Sequence, residues 1–314
     1  MYKIILKTII FLGLVSPATT FAGVVDVVIS PEIAKPNQTI SASLSGTLID
    51  FNSSDIYWYL DNEIQKHGIG EKSFSFMSGE VDEKTVLDVI IMIPDGRRID
   101  LQKIIEPMEV DLIWEADTYT PPFYRGKAMP TYKSPIKVVA IPGGKNSKTK
   151  FIYNWSIDNL NNIVGASGYN QSTFTTFGSY AGYNRKINVT MFSFDKSKKM
   201  KKTIQVTSIE PELVLYENNS LMGIIFNSSL NNTKDITKNE FSVKAEPYFI
   251  TRGEMKNVQY EWAIDNNRIG DENRQDKVVT FIRPDGSGKA DLEAYIKNTN
   301  NFYQEAGAEV TLSY

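Results

Sequence analysis

The chain has 314 residues, no cysteine, a single histidine and a formal net charge of -3. The absence of cysteine excludes disulfides, thiol catalysis and a lipid-modified N-terminal cysteine, and one histidine is too few for a multi-histidine zinc centre. The slight negative charge offers no general attraction to phosphate backbones, so no nucleic-acid partner is expected, and a chain of this length exceeds what one core usually supports, so two or three domains are.

In chain order, Lys3 and Lys7 begin an apolar run that continues through Val15, and Thr20-Phe21-Ala22 has the small-x-small form of a signal-peptidase site. Residues 1–22 read as a signal peptide, which places the mature chain, from Gly23, outside the cytoplasm. The apolar run is roughly a dozen residues, whereas a spanning helix needs about 20, and no later segment is long and apolar enough.

Three segments then repeat one pattern. "IYWYLDNEI", "YNWSIDNLN" and "YEWAIDNNR" all read Trp-x-x-Asp-Asn, aligning Trp58, Trp155 and Trp262 about 100 residues apart. Alternating apolar residues before each Asp-Asn pair describe a strand with one buried face, closed by a turn at Asp-Asn. The tryptophans are the expected core anchors. A strand precedes each ("TISASLSG", "IKVVAIP", "FSVKAEP") and another follows ("TVLDVIIMI", "KINVTMFSF", "ADLEAYIKN"), then a turn and a last strand. No stretch carries a helical stripe.

Boundaries follow from the repeat, because Glu106-Pro107 and Glu210-Pro211 each lead from a last strand into the next first strand. The expected division is a signal peptide at 1–22 and modules at 23–107, 108–210 and 211–314. Each is expected to be an antiparallel β-sandwich of about seven strands, giving an all-β chain with short, semi-stiff linkers.

These modules resemble bacterial immunoglobulin-like and polycystic-kidney-disease-like (PKD-like) domains. The mature chain as a whole resembles exported proteins of small-genome bacteria built from three such modules and carrying "VDLIWEADTYTPPFYRGKA" between the first two. It departs from the parent families in having no cysteine pair, and in having Trp-x-x-Asp-Asn where PKD-like modules carry a Trp-Asp-Phe-Gly-Asp-Gly type motif. The resemblance implies architecture and no particular activity.

Candidate chemistry is sparse, and no catalytic residue and no cofactor is expected. His67, in "NEIQKHGIG", reads as part of a surface turn. "PGGKNSKTK" and "PDGSGKAD" lack phosphate-loop spacing and read as hairpin turns. Asp265, Asn267, Asp271, Glu272 and Asp276 place oxygen donors in one loop, a weak calcium candidate in which Ile269 stands where an EF-hand would want a ligand. A solvated turn explains that loop better. "DKSKKMKKT" reads as a charged hairpin that discourages edge pairing.

The long connection 114–135, "WEADTYTPPFYRGKAMPTYKSP", is the strongest candidate. Pro121-Pro122 fixes an extended backbone from which Tyr119, Phe123, Tyr124 and Arg125 can be presented. In one reading the loop folds back over modules 1 and 2 and buries its aromatics. In the other it stays exposed as an aromatic and arginine interface. A second long connection starts at Tyr216-Glu217 in module 3, which favours the packing reading.

These features describe a non-enzymatic exported protein: a semi-rigid spacer or adhesion subunit at the cell surface, with other surface, pilus or secretion proteins as expected partners. The alternative is a carbohydrate-binding surface protein that uses exposed aromatics.

Overall fold

The computed structural model describes residues 25–144, 150–158, 166–194, 198–270 and 276–314. The signal-peptide reading of residues 1–22 and the candidate donors Asp271 and Glu272 lie outside the described residues. The chain divides into two compact units, Met1–Pro107 and Met108–Tyr314. The fold is all-β, in antiparallel sandwiches.

The first unit contains β1 (Val25–Ser30), β2 (Thr39–Gly46), β3 (Asp55–Leu60), β4 (Glu63–Ile69), β5 (Ser73–Met77), β6 (Thr85–Met92) and β7 (Arg98–Ile105). They form two sheets, β1-β2-β5 and β4-β3-β6-β7. Alternation decides which side chains go inside: β6 buries Thr85, Leu87, Val89 and Ile91 while the residues between them face outward. Ile40 and Ala42 from one sheet meet Ile56, Trp58 and Leu87 from the other in a single core.

The second unit contains two sandwiches. One is built from β8 (Val110–Ala116), β9 (Pro135–Pro142), β10 (Phe151–Ile157), β11 (Gly168–Tyr169), β12 (Thr173–Phe177), β13 (Asn184–Ser193) and β14 (Lys199–Thr207). Its sheets, β12-β9-β8 and β11-β10-β13-β14, repeat the strand order of the first unit. Ile136, Val138, Trp155, Val189 and Met191 fill its core.

The other sandwich has more strands: β15 (Glu212–Asn219), β16 (Gly223–Leu230), β17 (Thr233–Asp235), β18 (Glu240–Tyr248), β19 (Val258–Ile264), β20 (Asn267–Ile269), β21 (Val278–Ile282), β22 (Lys289–Asn298) and β23 (Asn301–Ser313). Its sheets are β16-β15-β18-β21 and β17-β23-β22-β19-β20. The additions are β16, a hairpin partner of β15, and β17, which runs parallel to β23. Val243, Trp262, Leu292, Ile296 and Leu312 lie in its separate core. We call these three sandwiches modules 1, 2 and 3.

One clamp recurs in all three modules. Trp58, Trp155 and Trp262 are 0%, 0% and 5% exposed, and each indole N–H donates to a backbone carbonyl in the connection ahead: Glu71 at 2.8 Å, Gln171 at 2.9 Å and Asp276 at 2.9 Å. Each ring therefore fills a core and also pins the crossing between sheets.

The Asp of the pattern has a second task. Asp61, Asp158 and Asp265 all have φ 48, the left-handed conformation that Asp and Asn tolerate best, and Asn62 and Asn266 follow with φ 70 and 63. Asn159 lies outside the described residues. The carboxylate Oδ1 of each Asp accepts from the backbone N–H of the second or third residue of a long strand, β6, β13 or β22: Val86 at 2.8 Å, Lys186 at 3.0 Å and Asp291 at 2.9 Å. The Asp N–H donates to the carbonyl of that same residue in every case. The turn is thus tied to a strand distant in sequence.

His67 departs from the sequence reading. It lies in β4 rather than a turn, because the tight Asp61-Asn62 reversal folds the following residues straight back onto β3, opposite Tyr57. Its ring stacks on Tyr57 with centroids 4.5 Å apart, and Nε2 is 3.7 Å from Asp55.

Two substitutions separate the roles of the tryptophan. Trp155→Ala should cost about 3–5 kcal/mol through the lost ring volume. Trp155→Phe should cost about 1–3 kcal/mol, chiefly because the Gln171 carbonyl loses its donor. Denaturant unfolding measures both, and a Phe variant as stable as the parent would show that the indole hydrogen bond contributes nothing.

Candidate functional site

The long connection occupies residues 117–134, between β8 and β9, and it packs on module 3. Thr118 forms an antiparallel bridge with Thr251. The Tyr119 N–H donates to Ile250 O at 2.7 Å, and the Phe249 N–H returns a bond to Tyr119 O at 2.7 Å. The expectation that this loop folds back over modules 1 and 2 is therefore corrected in its partner: Tyr119, Phe123 and Tyr124 meet module 3, while Tyr132 and Lys133 contact Tyr180 and Gly178 of module 2. Strand direction supplies the reason: β8 spans seven residues, about 23 Å at the usual rise, so its end lies a full strand away from the point where the chain enters module 2. At that far end the chain leaves for module 3, and Ile209 N–H bonds to Pro130 O at 2.9 Å.

The Pro-Pro-aromatic core has a matching surface. Pro121 is buried, Phe123 and Tyr124 are half-buried, and Pro122 and Arg125 are exposed. Phe123 stacks on Phe226 with centroids 4.1 Å apart and meets Tyr216 edge-on at 5.8 Å. Tyr124 packs edge-on against Tyr248 at 5.5 Å and Phe249 at 5.8 Å. The partners of Phe123 come from β15 and β16, so the two long connections of the sequence meet each other. Between Tyr216 and Asn218 the β15–β16 register shifts, and the irregular stretch of β16 includes Phe226.

Polar groups fix this contact. Glu246, 4% exposed, accepts the Tyr119 hydroxyl at 2.6 Å and pairs with Lys244 at 2.6 Å. Burial, then the bond to Glu246, pushes the Tyr119 phenol well above its ordinary range. Tyr248 is pushed up in the same direction by burial and by its 2.8 Å hydroxyl contact with Tyr216.

Gln304 of β23, 0% exposed, is the other fixed point. Its amide nitrogen lies 3.1 Å from Thr131 Oγ1, 3.0 Å from Tyr132 O and 2.7 Å from Thr251 Oγ1. Its amide oxygen accepts from Thr251 N and Asn298 Nδ2, each at 3.1 Å. Asn301 Nδ2 adds a bond to Tyr132 O at 2.8 Å. Thr131 Oγ1 also donates to Phe249 O at 2.9 Å.

Above this buried network three tyrosine rings meet. Tyr132 of the loop stacks on Tyr180, which lies between β12 and β13, with centroids 4.6 Å apart, and lies 4.5 Å from Tyr303 of β23. Tyr180 and Tyr303 stand at 75° to each other, and are 54% and 58% exposed. The turn carrying Tyr180 is held close by Gly178, where an added Cβ would sit 2.0 Å from Thr131 O. Sequence reasoning missed Tyr180, Tyr303, Gln304 and Phe226. Only the aromatic density around Tyr132 hinted at the cluster.

The remaining candidates do not assemble into a site among the described residues. In the proposed calcium loop, Asp265 spends its carboxylate on Asp291 N–H, the Asp276 carbonyl accepts from Trp262, and the Asn267 side chain donates to Asp265 O. Among the described residues no group of three or more His, Cys, Asp or Glu side chains could hold a metal ion. Within "DKSKKMKKT", residues 195–197 lie outside the described residues. No helix among the described residues is long and apolar enough to cross a membrane.

No protein-family model matches the chain, and no curated protein matches it. Similar solved structures include three N-terminal domains of the Highly Immunogenic Outer Capsid protein of bacteriophage RB49, 11% identical, covering 93% of this chain and 98% of that one, with a TM-score of 0.28. Fibronectin(III)-like modules of Clostridium thermocellum CbhA are 14% identical, covering 58% of this chain and 94% of theirs, with a TM-score of 0.30. A Bacteroides ovatus protein of a mixed-linkage glucan utilization locus, SGBP-B, in complex with a heptasaccharide, is 11% identical, covering 92% and 70%, with a TM-score of 0.21. Likeness at this level carries no functional inference.

Two outcomes test the junction. Replacing Tyr119, Phe123 and Tyr124 together by Ser should lower the melting temperature and open residues 115–134 to limited proteolysis. An unchanged melt would mean that these side chains contribute nothing to the contact.

Alkaline pH provides the second test. Tyr119, Tyr248 and Tyr295 have folded pKa values raised above the unfolded value of about 10, Tyr295 to about 12 by burial and by its bond to Glu305. Their stabilisation is complete below pH 10 and is lost as pH rises from there. Denaturant titrations at stepped pH should therefore show stability falling above pH 10, with a smaller fall in Tyr119→Phe. Equal falls in both proteins would remove Tyr119 from the account.

Proposed function

We propose that this chain is a non-enzymatic, exported protein whose modules, at 23–107, 108–210 and 211–314, serve as a spacer or interaction subunit at the cell surface. The observation that carries the reading is the junction between modules 2 and 3. A loop much longer than a sandwich connection requires is spent on joining two modules, through aromatic stacking and a buried hydrogen-bond network. Such a junction holds two β-sandwiches at one orientation, which is what a spacer or adhesion subunit needs and what a flexible tether lacks.

Export is supported by the Lys3, Lys7 and Ala22 pattern, and the lack of cysteine leaves the fold independent of redox compartment. Partners in this reading are other surface proteins, including those of a pilus or secretion apparatus. Pro122 and Arg125 are the exposed residues of the loop's aromatic core and remain available to them.

Cell fractionation tests the proposal. The protein recovered from the producing cells should begin at Gly23, and protease added to intact cells should digest it. Full-length chain retained in the cytosol, with residues 1–22 attached, would contradict export and the surface role together.

A further inference from the structure

We propose that Tyr180 and Tyr303, braced by Tyr132, form a stacking site for a pyranose ring of a glycan. The inference goes beyond the spacer reading and needs only that the junction between modules 2 and 3 be fixed. Three observations support it.

The first is geometry. Tyr180 and Tyr303 pack edge to face, at 75° with centroids 5.3 Å apart, and together with Tyr132 form one aromatic cluster whose outer surface is open to solvent. Both are more than half exposed, and Tyr132 packs against them with centroids 4.6 Å and 4.5 Å away. A pyranose has an apolar C–H face that stacks on an aromatic ring, and a rim of hydroxyls that the tyrosine hydroxyls can meet.

The second is preorganisation. The backbone under Tyr132 and Tyr180 is held, and the side chains on either side of Tyr303 are tied to the loop: Tyr132 O accepts from Gln304 and Asn301, Lys133 N–H bonds Gly178 O at 3.0 Å, and Tyr183 N–H bonds Tyr180 O at 3.1 Å. A ligand would therefore meet rings whose positions cost little to fix.

The third concerns what is left for a ligand. Tyr132 O, Gly178 N and O, and Tyr180 O are all engaged within the chain. An extended peptide, which binds through main-chain groups, finds few of them free here. The Tyr132 and Tyr180 hydroxyls lie 3.5 Å apart and contact each other, so what the cluster offers a ligand is chiefly exposed ring surface, which suits the apolar face of a sugar.

The experiment screens the mature protein against arrayed pyranose oligosaccharides, including β-glucan and N-acetylglucosamine oligomers, then titrates the best binder into variants whose melts are checked. Tyr180→Ala and Tyr303→Ala should each weaken binding at least tenfold, while Tyr180→Phe stays within about threefold because stacking survives. Tyr169→Ala, removing a 55% exposed tyrosine elsewhere in module 2, should change nothing. Binding to no glycan would overturn the proposal. Glycan binding that both Ala variants retain would overturn this site while leaving sugar recognition standing, and capture of a proline-rich peptide in place of any glycan would overturn the ligand class. Fractionation reports on the surface role separately, so the two readings can fail independently.

Discussion

Phe123 lies over Phe226 with ring centroids 4.1 Å apart, and the arrangement of modules 2 and 3 depends on that contact. An aromatic pair is worth about 0.5–1.5 kcal/mol beyond the area it buries, too little alone to hold two domains in register. Stacked rings also slide. The polar groups remove that freedom, because Gln304 and Glu246 are almost fully buried and a shift of even one hydrogen-bond length would take away their partners across the junction, Thr131 and Tyr132 for the amide and Tyr119 for the carboxylate. Apolar contact supplies the attraction, and the buried amide and carboxylate select the orientation.

Each module solves its own problem in a similar way. Sandwiches of about 100 residues without disulfides must be stabilised by their cores, and here each core is organised around one tryptophan whose N–H also ties down a crossing between sheets. The Asp three residues later fastens the adjacent turn to a strand some 25 residues on. Core filling, turn geometry and strand registration are thus concentrated in five consecutive positions.

Those positions were legible because the properties they use are local. Strand alternation and the left-handed preference of Asp and Asn can be read from a few residues, and the all-β fold follows from them. Tyr119, Phe123 and Tyr124 could be singled out for the same reason, from the prolines beside them. Their destination could not, because one sequence does not say which distant aromatics a loop will meet. Following the direction of β8 would have indicated the end nearer module 3, yet nothing local marks Phe226 as the partner. Tyr180 and Tyr303 were hidden more completely, since they lie in unrelated segments that only the packed junction brings beside Tyr132. His67 misled because a polar stretch after a turn looks like more turn, whereas an outer strand can be equally polar.

The central claim is that modules 2 and 3 form one rigid body held by residues 117–134. Because the chain has no cysteine, Lys201→Cys on β14 and Glu309→Cys on β23 can carry a pair of spin labels without interference. Pulsed electron spin resonance would then give the distribution of distances between the two modules. Modules held by residues 117–134 give a single narrow distribution. A broad or multiple one would show that the modules reorient freely and that the loop contact does not hold them.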